Sequence, residues 1–362
     1  MTGERVRAAV LREPGRLAIE SFDRPELRGD DALLRVEAVG LCGSDLARFE
    51  GSRGSLPPMI LGHEIAGRIE KIGPDAAARW DINVGDLVVL DEALPCGVCR
   101  LCAAGRHRLC ARSGLRYGTT PVETAPGLWG GFAELLYLHP STRLHRVPDA
   151  VAADVATLSI PLSNGYGWLV DGGSFIPGDH VIVLGPGLHG ICTALVAARL
   201  GAGSVTLVGR AGDERRLAYA ERFGVRTLDV GAGPHLVDLL RPSYDDGADI
   251  VVDLVPGPQS GLADDVALLG RGGRLVLAGV KKQDTAVSLP ILDVLSHEIS
   301  VRGVWARPDW AVDRALAELA ADRALGELVE ARHPLAEAGE ALRAMTGTDL
   351  PLHAVVVPQT ER

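Results

Sequence analysis

The chain has 362 residues, 47% hydrophobic and 23% charged, enough for two ordinary domains and a sizeable core. Aromatics make up only 4%, so that core is expected to be mostly Leu, Val and Ala, and the net charge of −10 argues against nucleic acid or an anionic membrane as partner. No run reaches the roughly 18 apolar residues of a membrane span, and the start, MTGERVRAAVLREPG, lacks the apolar stretch of a signal peptide.

A cytoplasmic protein is therefore expected. There, six cysteines, four of them packed between positions 96 and 110, read as metal ligands rather than disulfides. The N-terminal region reads as β-rich. VRAAVL, RLAIES and DALLRVEAVG are short strand-like runs separated by Pro, Gly and Asp turns. The third leads into Leu41-Cys42-Gly43-Ser44-Asp45, and Gly62-His63-Glu64 follows. A thiolate and an imidazole are preferred zinc ligands, and Glu64 can ligate or stand behind His63. Taken alone, Cys42 and His63 read as well as a buried thiol and a satisfied core histidine.

Cys96, Cys99, Cys102 and Cys110 form C-x2-C-x2-C-x7-C. Four thiols in so short a loop can close a tetrahedral zinc site, with no position left open for chemistry. Arg100, Arg106, Arg108 and Arg112 are interleaved and offset the excess negative charge of four thiolates. A redox pair is the competing reading, against which stands the lack of a surrounding βαβ pattern.

Val181 to Gly201 reads as strand, glycine turn and helix: VIVL, then Gly185-Pro186-Gly187-Leu188-His189-Gly190, then ICTALVAARL stopped by Gly201. In that context G-x-G-x-x-G is a dinucleotide signal. Gly185 allows the tight turn, Gly187 lets backbone approach a pyrophosphate, and Gly190 lets helix pack on strand, with the helix N-terminus facing the anion. VTLV is the next strand. It ends in Gly209-Arg210, where a protein preferring NAD usually has Asp or Glu for the ribose hydroxyls. Arg210, aided by Arg215, suits a 2′-phosphate and hence NADP. The counter-reading has Asp213 bend back to the ribose.

Alternation continues with a helix in ERRLAYAERFG, a strand in ADIVVDLV, a helix over GLADDVALLGRGG with a glycine stop, and strands in RLVLAGV and ISVRGVW. WAVDRALAELAADRAL and AEAGEALRAMTG read as helices, and HAVVV as a last strand. His107, His139, His145, His180, His297, His333 and His353 lack ligand spacing. His189 lies inside the glycine turn and is a weaker candidate for a cofactor phosphate contact, and Cys192 reads as an inert buried thiol.

With these motifs together, the chain resembles the zinc-containing medium-chain alcohol dehydrogenases, including their polyol and threonine dehydrogenase branches. Gly62-His63-Glu64-x2-Gly67-x5-Gly73, the four-cysteine lobe, Gly130-Gly131-Phe132-Ala133-Glu134 and the glycine turn carry the resemblance, which spans essentially the whole chain. It implies an α/β protein: a GroES-like catalytic domain over 1–158 with a zinc lobe at 95–111, a Rossmann domain over 159–304, and a return to the first domain over 305–362. It implies a catalytic zinc on Cys42 and His63, with Glu64 a direct or a movable ligand. Ser44 would take the alcohol's proton and Asp45 would orient His63. Val255, Gly279 and Val280 would hold the nicotinamide amide by backbone. Trp129, Ile160 and Trp305 are candidate lining residues of a small-molecule substrate cleft between the domains, although core packing suits each of them singly. A homo-oligomer, dimer or tetramer, is implied as well.

The chain also departs from the family. Ile160 stands where a further zinc ligand is usual, and Ala47 where a proton-relaying histidine often stands. The expected activity is hydride exchange between an alcohol and a ketone or aldehyde, NADP preferred. These departures keep open a reductase of an iminium or conjugated carbonyl with non-standard or absent catalytic zinc, and a nucleotide-binding scaffold that is not an enzyme.

Overall fold

The computed structural model describes residues 5–52, 54, 56–231, 236–240, 243–244, 246–256, 262–281, 286–346 and 350–359. The chain divides into two compact units, Met1–Ile160 with Val312–Arg362, and Pro161–Ala311.

In the first unit, β1 (Arg5–Glu13) pairs antiparallel with β2 (Arg16–Asp23) and, at its far end, with β4 (Met59–Ile60). A second sheet is built on β3 (Ala32–Gly40) and β5 (Glu64–Ile72), continues through β6 (Leu87–Leu90) and β8 (Leu144–Arg146), and takes β7 (Leu135–Leu138) against β3. The strands form because β-branched and leucine residues recur on the faces turned to the core. Val6, Ala8, Val10, Leu34, Val36 and Ile65 are all at most 2% exposed. Phe49, Tyr117, Trp129 and Phe132 of this unit are among the largest fully buried side chains.

The second unit is one six-stranded parallel sheet: β9 (His180–Leu184), β10 (Ser204–Gly209), β11 (Arg226–Asp229), β12 (Ala248–Asp253), β13 (Leu269–Leu277) and β14 (Ser300–Gly303), in the order β11-β10-β9-β12-β13-β14. That order reverses direction at β9, the point in a doubly wound sheet where a dinucleotide is received. β9 and β12 are apolar throughout their middles, as parallel strands covered on both faces must be.

The helix expected over GLADDVALLGRGG is shorter than its pattern suggests. It spans Ala263–Ala267, and β13 already begins at Leu269, so the glycines do not end a helix but form the start of a strand. Leu269 pairs with Ala248 and Arg274 with Ile250, so the intervening Gly-Arg-Gly-Gly bulges from the ladder. Gly272 at φ +73° allows that bulge. Gly261, at the start of that pattern, and Gly347, at the end of AEAGEALRAMTG, lie outside the described residues.

The last part of the chain contributes β15 (Val329–Pro334) and β16 (His353–Val357), the latter antiparallel to β3 with Val355 opposite Gly40. Among the described residues, no helix is long and apolar enough to cross a membrane.

Candidate active site and metal centres

β3 ends at Gly40, and Cys42 caps the short helix Gly43–Phe49, which puts Ser44 and Asp45 in its first turn. β5, paired with β3, begins at Glu64 and carries His63 just ahead of it. This pairing, across some twenty residues of chain, brings the chemistry together. One ligand atom from each of Cys42, His63 and Glu64 lies within 4.8 Å of the others.

Asp45 is fully buried, and its Oδ1 accepts from Gly62 N–H and from His63 Nδ1, each at 3.2 Å. Nδ1 is thereby occupied, and Nε2 is left toward Cys42. Ser44 Oγ stands 3.5 Å from Cys42 Sγ and 3.4 Å from His63 Nε2. Burial alone would keep His63 uncharged, but the Asp45 carboxylate and Cys42 outweigh it and hold the imidazole's pKa well above its ordinary value. The Cys42 sulfur and the carboxyl groups of Asp45 and Glu64 converge on this histidine, a donor set suited to a cation. A zinc ion fits it in charge and in donor type.

Gly40 is what leaves room for Glu64. A Cβ there would overlap the Glu64 carboxylate and lie 2.8 Å from His353 Cε1. His353 is buried on the adjacent β16, and its Nε2 is 2.9 Å from Thr157 Oγ1. The Thr157 hydroxyl gives its single proton to Asp154 C=O, so Nε2 is the donor in that pair. The lack of ligand spacing hid His353, which only sheet pairing sets beside Glu64.

Cys96, Cys99, Cys102 and Cys110 likewise lie within 4.8 Å of one another. Cys99 Sγ is 3.6 Å from Cys102 Sγ and 3.9 Å from Cys110 Sγ. A tetrahedron with Zn–S of about 2.3 Å has edges of about 3.8 Å, whereas a disulfide would need sulfurs about 2 Å apart. The loop is shaped for a metal.

In the second unit Gly185 has φ +101°, which the turn requires. A Cβ on Gly190 would overlap the Gly185 carbonyl, so glycine is needed for the helix Leu188–Arg199 to start this close to β9. Gly187 is the N-cap of that helix, and Leu188 its first residue. β10 ends at Gly209. Arg210 and Arg215 are both exposed, and Asp213 Oδ2 accepts from Arg210 N–H at 3.1 Å. That bond ties Asp213 to the turn. Arg216, one residue past the candidate Arg215, is the side chain aimed at the glycine turn, its Nη1 3.9 Å from where a Gly187 Cβ would be. The difference is helical phase: adjacent residues point about 100° apart.

Val255, Gly279 and Val280 come together at the ends of β12 and β13. Asp253 organises them: its Oδ1 accepts from Val255 N–H and its backbone carbonyl from Gly279 N–H, both at 2.8 Å. Lys281, which no motif marked, donates to Asp253 Oδ2 at 2.8 Å and to Val255 C=O at 2.5 Å. Burial and the neighbouring Asp253 push the Asp265 carboxyl up to about 7.

The lining candidates fare differently. Trp129 is 1% exposed, with its indole N–H on Thr124 C=O and its ring edge-on to Tyr137 at 5.2 Å. It is a core residue, of the kind whose truncation costs about 3–5 kcal/mol. Ile160 is also buried, at the start of the helix Ser159–Gly167, whereas Trp305 is half exposed. His189 packs inward, stacked on Trp168, and Cys192 is a free buried thiol.

The family model described as the alcohol dehydrogenase GroES-like domain matches residues 28–149, and that described as zinc-binding dehydrogenase matches residues 190–321. A probable alcohol dehydrogenase of Mycobacterium tuberculosis strain H37Rv is 40% identical over 282 residues, 77% of each chain. Sorbitol dehydrogenase of Rattus norvegicus is 30% identical over 302 residues, covering 82% of this chain and 80% of that one. A solved structure described as a zinc-binding dehydrogenase of Sinorhizobium meliloti 1021, bound to NADP, is 26% identical with a TM-score of 0.82, covering 98% of this chain and all of the other.

Proposed function

The chain belongs to the zinc-type medium-chain dehydrogenase/reductase superfamily and is an alcohol dehydrogenase-like oxidoreductase, and from that premise we propose that it exchanges hydride between an alcohol or polyol and the matching ketone or aldehyde, with NADP preferred. The observation that carries the reading is the Cys42, His63 and Glu64 donor set with the Ser44 hydroxyl at its edge. When bound, zinc supplies Lewis acidity toward the substrate oxygen and the dinucleotide supplies the hydride acceptor.

The chain's own residues do the rest. Asp45 holds His63 by Nδ1, so that Nε2 faces the donor set. Ser44 Oγ takes the proton that an alcohol loses on oxidation and returns it on reduction. Arg48 Nη1 donates to the Ser44 carbonyl at 2.8 Å and steadies that turn. Ala47 offers no acceptor, so the proton passes from Ser44 to water or to a cofactor ribose hydroxyl.

NADP preference is supported by the side-chain-free Gly209, the exposed Arg210 and the engagement of Asp213 with the turn. The Sinorhizobium relative is bound to NADP. On a panel of secondary alcohols, polyols and aldehydes followed at the reduced-nicotinamide band, turnover is expected with NADP ahead of NAD. Arg210→Asp is expected to lower the NADP-to-NAD ratio of kcat/KM by about tenfold to a hundredfold. An unchanged ratio would refute the 2′-phosphate assignment, and binding without turnover on any substrate would refute the activity.

The reading is of a cytoplasmic enzyme, where its free thiols stay reduced. It is also of a homo-oligomer, a dimer or tetramer. All four residues of the edge strand β14 are exposed, and Ile291, Leu292 and Leu295 on the helix Ile291–Ser296 are 59–74% exposed. An open parallel edge beside an apolar helix is a surface that a second copy would cover. Sedimentation velocity is expected to show no monomer at micromolar concentration; a monomer would overturn this.

A further inference from the structure

Asn164, in the helix Ser159–Gly167, is 7% exposed. Its Nδ2 lies 2.9 Å from His189 Nε2, while its Oδ1 is buried and has no hydrogen-bond partner among the described residues. A buried amide oxygen left unpaired is costly, and native proteins rarely keep one without use. The missing partner must be a donor.

The surroundings hold this amide in place. A Cβ on Gly165 would be 3.0 Å from Thr193 Cα, so glycine is what lets this helix sit directly against the helix that follows the glycine turn. His189, in the first turn of that second helix, stacks on the Trp168 indole at 5.5 Å and 25°. Trp168 in turn donates its indole N–H to Ala306 C=O at 3.2 Å. With His189 Nε2 accepting from Nδ2, the amide has one orientation, Oδ1 away from the ring.

The side of the sheet identifies the donor. The wide turn Trp168–Gly172, which continues from this helix, packs on β13. Gly172 of that turn lies against Val276 of β13 and Gly173 against Ile250 of β12, so Trp168 sits on the β12 and β13 side of β9; Asn164, one helical turn before it, spans from there to His189 at the start of the helix that packs on β9 and β10. In the dinucleotide reading given above, on which this inference rests, the β12 and β13 side is the nicotinamide half, and its ring carries a planar N–H2 donor.

We propose that Asn164 Oδ1 accepts a hydrogen bond from the carboxamide N–H2 of the bound nicotinamide, with His189 and Trp168 as positioning residues. Calorimetric titration tests it without turnover. Dissociation constants are measured for NADP and for its 3-acetylpyridine analogue, whose methyl ketone has no N–H, on the wild type, Asn164→Val and Asn164→Asp. The wild type is expected to favour NADP over the analogue about five- to tenfold more than Asn164→Val does. Asn164→Asp, which keeps an acceptor oxygen, is expected to retain that preference. Should Asn164→Val fail to fold, as judged by thermal melting, Asn164→Ala takes its place. Equal preference in the wild type and the folded apolar variant overturns the proposal, as does loss of the preference in Asn164→Asp. A wild type that binds neither compound overturns the dinucleotide reading itself.

Discussion

Cys42→Ser is expected to lower kcat/KM by at least about a thousandfold and to reduce bound zinc from two ions per chain to one, as the two donor clusters imply. The first cluster has three protein donors, and Cys42 is its only thiolate. Ile160 cannot supply a fourth. Removing Cys42 leaves His63 and Glu64, too few to hold zinc against water. Three donors also hold metal less firmly than four. In the wild type, a mild chelator is therefore expected to take this zinc first and the activity with it, while the zinc of the cysteine lobe stays. Elemental analysis at intervals during chelation checks the order. If the zinc lost in Cys42→Ser resists the chelator as firmly as the lobe zinc, the idea of a weakly held site is wrong. Turnover that survives Cys42→Ser would mean that the chemistry runs without this metal.

Cys102→Ser is expected to cost stability rather than chemistry: loss of the lobe zinc and a fall in melting temperature of roughly 10 °C or more. The lobe has little else to hold it, since its one α-helix is the four residues Arg100–Ala103. Without metal its thiols conflict. Burial and the neighbouring Cys99 push Cys102 up to about 12, while the backbone N–H of Cys102 and the neighbouring sulfurs pull Cys99 down to about 6. A zinc ion held by Cys96, Cys99, Cys102 and Cys110 would remove the conflict, since it favours the thiolate form of each. Protons compete with it, and a thiol whose pKa is lowered on folding gives up its contribution only as pH falls through the lowered value. Cys99 reaches that point at about 6 even without metal, so acidification below that pH is expected to release the lobe zinc. Zinc content and melting temperature across pH 4 to 8 check this. A variant that melts with the wild type would show that the lobe folds without its metal.

Much of the site was legible because its chemistry is local. The C-x2-C-x2-C-x7-C spacing confines four thiols to one loop whatever surrounds it, and sulfurs 3.6–3.9 Å apart follow from it. The glycine turn was legible for the same reason: the need for φ +101° at Gly185 and for no Cβ at Gly190 is set by the strand and helix on either side. Trp129 was not legible, since an indole suits a pocket wall and a core equally, and only packing against Tyr137 and Thr124 separates them. That Arg216 faces the glycine turn was not legible either, because adjacent arginines do not show which one the helix turns that way. The Gly-Arg-Gly-Gly segment read as a stop because glycines end helices, and here the ladder with β12 absorbs them as a bulge instead.

By itself the sequence determined the donor atoms, the glycine turn and the absence of a carboxylate directly after β10, all properties of residue type and short spacing; the significance of Ile160 came only through the family resemblance. Only the tertiary structure decided which groups meet across long stretches of chain. His353 stands beside Glu64 because β16 and β5 flank Gly40 on β3. Lys281 bridges Asp253 and Val255 because β12 and β13 end together. Asn164 meets His189, 25 residues on, because Gly165 lets two helices touch. Spacing along the chain encodes none of these, since strand pairing and helix contact set such distances, and burial then makes an unpaired oxygen like that of Asn164 significant.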